Sequence, residues 1–113
     1  MLQLDQAETI ILKLNQVRSG RRNHIRTFRK GGRVFATLNE KEHRSCLRLN
    51  PVDQDVFCRL NPEHVMRVPK KNGNYGWTLF MIQHLPKRFY ADAVRCAYEN
   101  IISLSRKKSS ALL

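Results

Sequence analysis

Two short basic segments, Arg29-Lys30-Gly31-Gly32-Arg33 and Lys70-Lys71-Asn72-Gly73-Asn74-Tyr75, are where residue type and spacing in this chain point to chemistry. Cations on turn-forming segments suit the phosphates of a polyanion, with amide or aromatic side chains beside them for hydrogen bonds or stacking. The nucleic-acid candidates are therefore Arg26, Arg29, Lys30 and Arg33 around the first segment, and Lys70, Lys71, Asn72, Asn74 and Tyr75 on the second. Gly31, Gly32 and Gly73 would let backbone amides come close to such a ligand. Arg18, Arg21 and Arg22 add charge next to the first segment, and Arg106-Lys107-Lys108 forms a further basic block. The chain has no helix-turn-helix, zinc-finger or RNA-recognition aromatic signature, so the binding expected is backbone-dominated, steeply salt-dependent and weakly sequence-selective.

Other chemistries find less support. His24, His43, His64 and His84 have neither i,i+4 spacing nor a cysteine at a zinc-like interval, so no metal site or cofactor is expected. Asp53 and Asp55 fit the start of a helix better than an acid-base pair, and Gly31-Gly32 precedes a strand, not the helix a phosphate loop requires. An enzyme is not expected.

The charge balance agrees. Lys and Arg number 21 against nine Asp and Glu, for a net charge of +12 and a pI near 10.4. Such a surface attracts polyanions, nucleic acid first among them, although an anionic membrane or an acidic protein would satisfy the same electrostatics. With 113 residues, 42% hydrophobic and 27% charged, the chain suits one globular domain. Cys46, Cys58 and Cys96 are an odd set without C-x-x-C spacing and read as reduced packing groups. Without a signal-peptide pattern, a cytoplasmic location is expected. No apolar run approaches the roughly 20 residues of a membrane span, so no membrane partner is expected.

The elements that must position the two segments follow from periodicity. His24 to Leu38 reads as a β-hairpin around Gly31-Gly32, with Val34, Ala36 and Leu38 on one face and Phe35 on the other. An amphipathic helix capped by Asp5 and Glu8 precedes it and runs to Ser19-Gly20, followed by a basic connector, Arg21 to His24. Ser45, Leu47 and Leu49 alternate as a third strand. Asn50-Pro51 starts a short helix with Val52, Val56, Phe57 and Leu60 on its apolar face. Val65 and Val68 mark a fourth strand, and 69–76 tips a second hairpin leading into a fifth strand from Trp77 to Gln83, with Trp77 assigned to the core. Pro86 opens a last helix whose apolar stripe runs from Phe89 to Leu104. Residues 1–104 are thus read as one α+β domain of order α-β-β-β-α-β-β-α, a two-layer sandwich with helices on one antiparallel five-stranded sheet, and 105–113 as a basic tail. A sheet covered on one face only leaves the other for a second copy or another protein, so a homodimer or interaction module is the alternative reading.

FRKGGRVFATL, the LRLNP transition, the GNYGWTLFMI strand and the final helix with AYENII together resemble the MmcQ/YjbR family, from about His24 to Leu104. That resemblance implies the same element order, a fold similar to type III secretion chaperones, and DNA binding by a double wing. The wings would be the tips at Arg29 to Arg33 and Lys70 to Tyr75. The chain departs from the family at Lys30, where an apolar residue is common, and at RSGRRN, where a Pro-Gly-containing stretch is usual.

Overall fold

The computed structural model describes residues 2–111, with side chains described through Ser105. The chain runs α1 (Leu4–Leu12), β1 (Arg18–Arg22), β2 (Ile25–Lys30), β3 (Arg33–Asn39), β4 (Arg44–Arg48), α2 (Pro51–Leu60), β5 (Val65–Arg67), α3 (Lys71–Asn74), β6 (Trp77–Phe80), a 3₁₀ turn (Ile82–His84) and α4 (Lys87–Ala111). The α+β class holds, but the antiparallel sheet has six strands where the sequence suggested five, in the order β1-β2-β3-β4-β6-β5.

The additional strand is β1. Its sequence, RSGRR, carries no apolar residue and all five positions are exposed. What forms it is the backbone ladder with β2 from Arg18↔Arg29 to Arg22↔Ile25, closed by Asn23 in the left-handed region at φ 57°. Arginines along this edge also discourage pairing with another chain. The first helix is correspondingly shorter than its apolar pattern suggests. Its cap is not Asp5 with Glu8: the Gln3 amide donates to Gln6 Oε1 at 2.9 Å, and the two acids are used elsewhere.

The central hairpin forms where expected, because Gly31 and Gly32 take φ 60° and 81°, the pair of positive values that a tight two-residue turn needs. One detail differs. The register passes from Phe28↔Ala36 to Arg29↔Val34, so Phe35 is the extra residue of a β-bulge and joins Ala36 and Leu38 in the core. It meets the Tyr98 ring edge-on at 5.9 Å between centroids, and no Phe35 patch exists on the open side.

Helix α2 starts as its sequence demands, with Asn50 Oδ1 accepting from the Asp53 amide and Pro51 at the first position. Phe57 and Gln54 are its buried residues, whereas Val52, Val56 and Leu60 remain exposed, because Phe57 alone of the apolar four faces Phe80 and Phe89. Strand β6 ends at Phe80, where the chain enters the 3₁₀ turn. Helix α4 continues past Leu104 to Ala111, through most of the stretch read as a tail; the side chains of the Arg106–Lys108 block lie outside the described residues.

The core lies on one side of the sheet. Phe28, Ala36, Leu38, Leu47 and Phe80 of the strands pack against Ala7, Ile11, Phe57, Tyr90, Ala97 and Ile101 of the helices. Inside it, Tyr90 Oη and Ser45 Oγ share a buried hydrogen bond of 2.7 Å. The alternate strand positions, Thr27, Thr37, Cys46, Leu79 and Met66, form one row across the sheet and are half-buried or exposed. The core residues of α1, α2 and α4 pack on the other face, and Asn72 of α3 borders this one.

Candidate nucleic-acid interface

Strand directions decide where the two basic segments sit. The Gly31-Gly32 turn joins the end of β2 to the start of β3, β4 runs back and ends at Arg48, and β6 starts opposite it at Trp77. Arg67, the last residue of β5, pairs with Thr78, so the 68–76 connection emerges at that same end of the sheet. Counted in strands, the two segments are three spacings apart, roughly 14 Å. The end of β4, with Arg48, lies between them.

The six strands contain no Asp or Glu, while their Lys and Arg residues number three in β1, three in β2, one in β3, two in β4 and one in β5. All nine acids lie on helices and connections, and the β3–β4 turn at the opposite end of the sheet holds Glu40 and Glu42. Asp53 and Asp55 start α2 just after the end of β4, and Asp55, which pairs with Arg59 at 2.9 Å, lines a cavity with Arg48 and Tyr75. The two ends therefore differ in which strand arginines are paired, not in whether acids are near. At the acidic end Arg21 and Arg26, cross-strand partners, both reach Glu40 Oε2, at 2.6 and 2.7 Å. Arg26 also reaches Glu8 at 2.7 Å and Asp5 at 3.4 Å, and Arg44 pairs with Glu42 at 3.4 Å. Hydrogen bonding to Glu40, Glu8 and Asp5 outweighs burial and raises the Arg26 pKa further. Hydrogen bonding to Arg26, with Arg21 beside it, holds the Glu40 carboxyl below its usual range against an opposing desolvation cost.

At the other end Arg18 and Arg29 are also cross-strand partners, both exposed, and neither has a carboxylate partner among the described residues. Like charges opposite one another repel unless an anion lies between them. They line a crevice of about 780 Å³ with Gln16, Val17, Lys30, Gly31 and Gly32. Arg33, Arg48, Lys70 and Lys71 likewise have no ion pair among the described residues.

The residues singled out from sequence separate accordingly. Arg29, Arg33, Lys70, Lys71 and Asn72 gather at the cationic end. Arg26 does not belong with them: its side chain is 17% exposed and spent on three carboxylates. Lys30 is tethered on the helix side, donating to Asn15 O at 3.2 Å and Gln16 Oε1 at 3.1 Å with its ammonium 5.6 Å from the Tyr98 ring centre. Asn74 accepts from Arg67 Nη2 at 3.0 Å, and Tyr75 is 62% exposed.

The second tip is not a β-turn. Lys70 takes φ 66° and the single-turn helix α3 follows. Gly73 is buried, and a Cβ there would come within 2.0 Å of the Val68 carbonyl oxygen, so close packing requires glycine here. Gln54 Nε2 holds the turn from below, donating to Gly73 O at 3.1 Å, Thr78 Oγ1 at 3.1 Å and Trp77 O at 3.3 Å.

Arg48 is not among the residues that the sequence singles out, and Trp77, expected in the core, lies outside it. Both alternate in register with core residues, Leu47 and Thr78, and the period-two pattern of Arg44–Arg48 was the available signal for Arg48. Trp77 is half-buried on the open face, where it lines a hollow of about 240 Å³ with Val34, Thr37, Cys46, Val68 and Asn72. Arg48 Nε donates to Tyr75 O at 3.1 Å, fixing that guanidinium beside the tip.

The fold is similar to that of the Deinococcus radiodurans protein DR2400, a DUF419 domain known from a crystal structure: the TM-score is 0.72 at 15% sequence identity, over 87% of this chain and 77% of that one. No family model and no curated protein sequence matches the chain.

Proposed function

We propose that this protein is a non-catalytic nucleic-acid-binding domain of the MmcQ/YjbR class, in keeping with its DUF419-like fold. It holds sugar-phosphate backbone, DNA foremost, against the cationic end of its sheet with little regard to base sequence. The observation that carries this reading is the contrast between two cross-strand arginine pairs. Arg21 and Arg26 share a carboxylate from the protein itself, whereas Arg18 and Arg29 have none among the described residues and stand where a phosphate would complete the same arrangement. Arg33, Arg48, Lys70 and Lys71 extend the charge across the remaining strands, so six cations are available to phosphate.

The test is a titration of end-labelled oligonucleotide at several salt concentrations. Six phosphate contacts on a single strand give a limiting slope of about −4 in log K against log salt, about a 300-fold loss between 50 and 200 mM. Replacing Lys70 and Lys71 by alanine reduces the slope by about 1.4. A slope unchanged in that variant, or absence of binding at low salt, overturns the reading. If the protein then proved dimeric, the exposed stripe of Val52, Val56 and Leu60 on α2 would be the first surface to mutate.

A further inference from the structure

Resting on that reading, we infer that the nucleic acid is taken as a single strand laid across the open face of the sheet, with one unstacked base in the hollow beside Trp77. The hollow and the charge are arranged as one track. Arg29 of the Arg18–Arg29 pair is opposite Val34, Val34 lines the hollow, Trp77, opposite Arg48, lines it too, and so does Asn72, the neighbour of Lys71. From β1 to β5 the track crosses six strands, roughly 24 Å.

The hollow suits a nucleobase in size and chemistry. At about 240 Å³ it is below the usual range for drug-sized ligands and takes a single planar ring system. Trp77 lines it half-buried, and an aromatic side chain in such a setting is one on which bases stack without sequence preference. Val34 and Val68 supply apolar walls. The Asn72 side-chain amide has no hydrogen-bond partner among the described residues, leaving it for a base edge. Burial keeps the Cys46 thiol above its ordinary pKa, although Thr37 and Arg44 pull the other way, so the lining brings no negative charge against the ligand.

The occupant follows from charge and shape together. A second copy would set arginine rows against arginine rows, because the strands carry no acid to answer them. A duplex satisfies the cations but keeps its bases stacked inside, out of reach of Trp77. A single strand meets both requirements.

Trp77 is the chain's one tryptophan, so its emission reports on this hollow alone. The experiment compares three labelled probes of about ten nucleotides, a length within the usual single-strand footprint: oligothymidylate, an abasic sugar-phosphate oligomer and a duplex. Each is followed by anisotropy and by Trp77 emission. The expected result is that oligothymidylate binds on the order of tenfold more tightly than the abasic oligomer and alone quenches Trp77, and that Trp77→Leu removes most of that difference. Equal affinity for the two single strands with unchanged emission overturns the base hollow while leaving the phosphate reading intact. A duplex that binds as tightly as oligothymidylate has the same effect. Absence of binding by all three at low salt removes both proposals. The comparison of the two single strands on the unaltered protein decides the matter even if Trp77→Leu does not fold.

Discussion

Replacing Gln54 tests how the fold holds the second basic tip. Its two Nε2 protons serve three acceptors, Gly73 O, Trp77 O and Thr78 Oγ1, inside the angle between α2, α3 and β6. In Gln54→Leu each acceptor keeps one other interaction: Gly73 O accepts from the Gly76 amide, Trp77 O accepts from the Val68 amide, and the Thr78 hydroxyl donates to Gly76 O. The cost is thus the net worth of about two neutral hydrogen bonds, ~1–3 kcal/mol. For a chain of 113 residues that lowers Tm by about 4–12 °C. Gln54→Glu is the sharper test. At neutral pH it points a carboxylate at three oxygens, so the variant is less stable than Gln54→Leu by about 1 kcal/mol or more. Folding raises the pKa of that carboxyl, so the deficit shrinks as pH falls and the protonated form donates one bond. Thermal unfolding followed by far-ultraviolet circular dichroism at pH 7 and pH 5 measures both effects, and amide exchange over 71–76 locates them. A Gln54→Leu Tm within about 1 °C of the parent, or a Gln54→Glu variant no worse than Gln54→Leu at pH 7, refutes the reasoning.

Gly73→Ala drives a Cβ into the Val68 carbonyl, so it lowers Tm and weakens oligonucleotide binding, whereas Gly31→Asn, in open space at a turn that favours Asn-Gly, leaves Tm within about 2 °C. Glu40, held below its usual carboxyl range by Arg26 and Arg21, contributes stability in full above that range and loses it as pH falls through its lower folded value. The stability difference between the parent and Glu40→Gln is accordingly flat above about pH 5 and narrows below it, as read from Tm against pH. Tyr90→Phe leaves the buried Ser45 hydroxyl without its partner and costs ~1–3 kcal/mol in urea unfolding, and adding Ser45→Ala recovers part of the loss. Lys70→Ala with Lys71→Ala flattens the salt dependence of binding by about 1.4 in log-log slope.

The fold was legible wherever local chemistry and burial agree. Gly31-Gly32 turns a hairpin, Asn50-Pro51 starts a helix and the alternation of Ser45 with Leu47 sets one face of a strand, each from its own few residues. What escaped depends on partners distant in sequence. RSGRR has no apolar residue, and it is a strand only because β2 offers an unpaired edge. Phe35 changes side through a bulge that no alternation pattern records. For the candidate site, the clustering of Arg29, Arg33, Lys70, Lys71 and Asn72 is written in two loop sequences, but availability is not. Arg26 and Arg29 look alike in sequence, yet one faces Asp5, Glu8 and Glu40 and the other faces Arg18. Trp77 reads as a core residue because large aromatics usually are, but the core side of β6 is filled by Thr78 and Phe80.

Mapping amide chemical shifts of the labelled protein during titration with oligothymidylate at low salt addresses the central claim most directly. Shifts at Arg18, Arg29, Val34, Thr37, Cys46, Asn72 and Trp77, with the exposed surfaces of α2 and α4 unchanged, are the outcome this account requires. Shifts confined to α2 and α4, with the open sheet face silent, would contradict it.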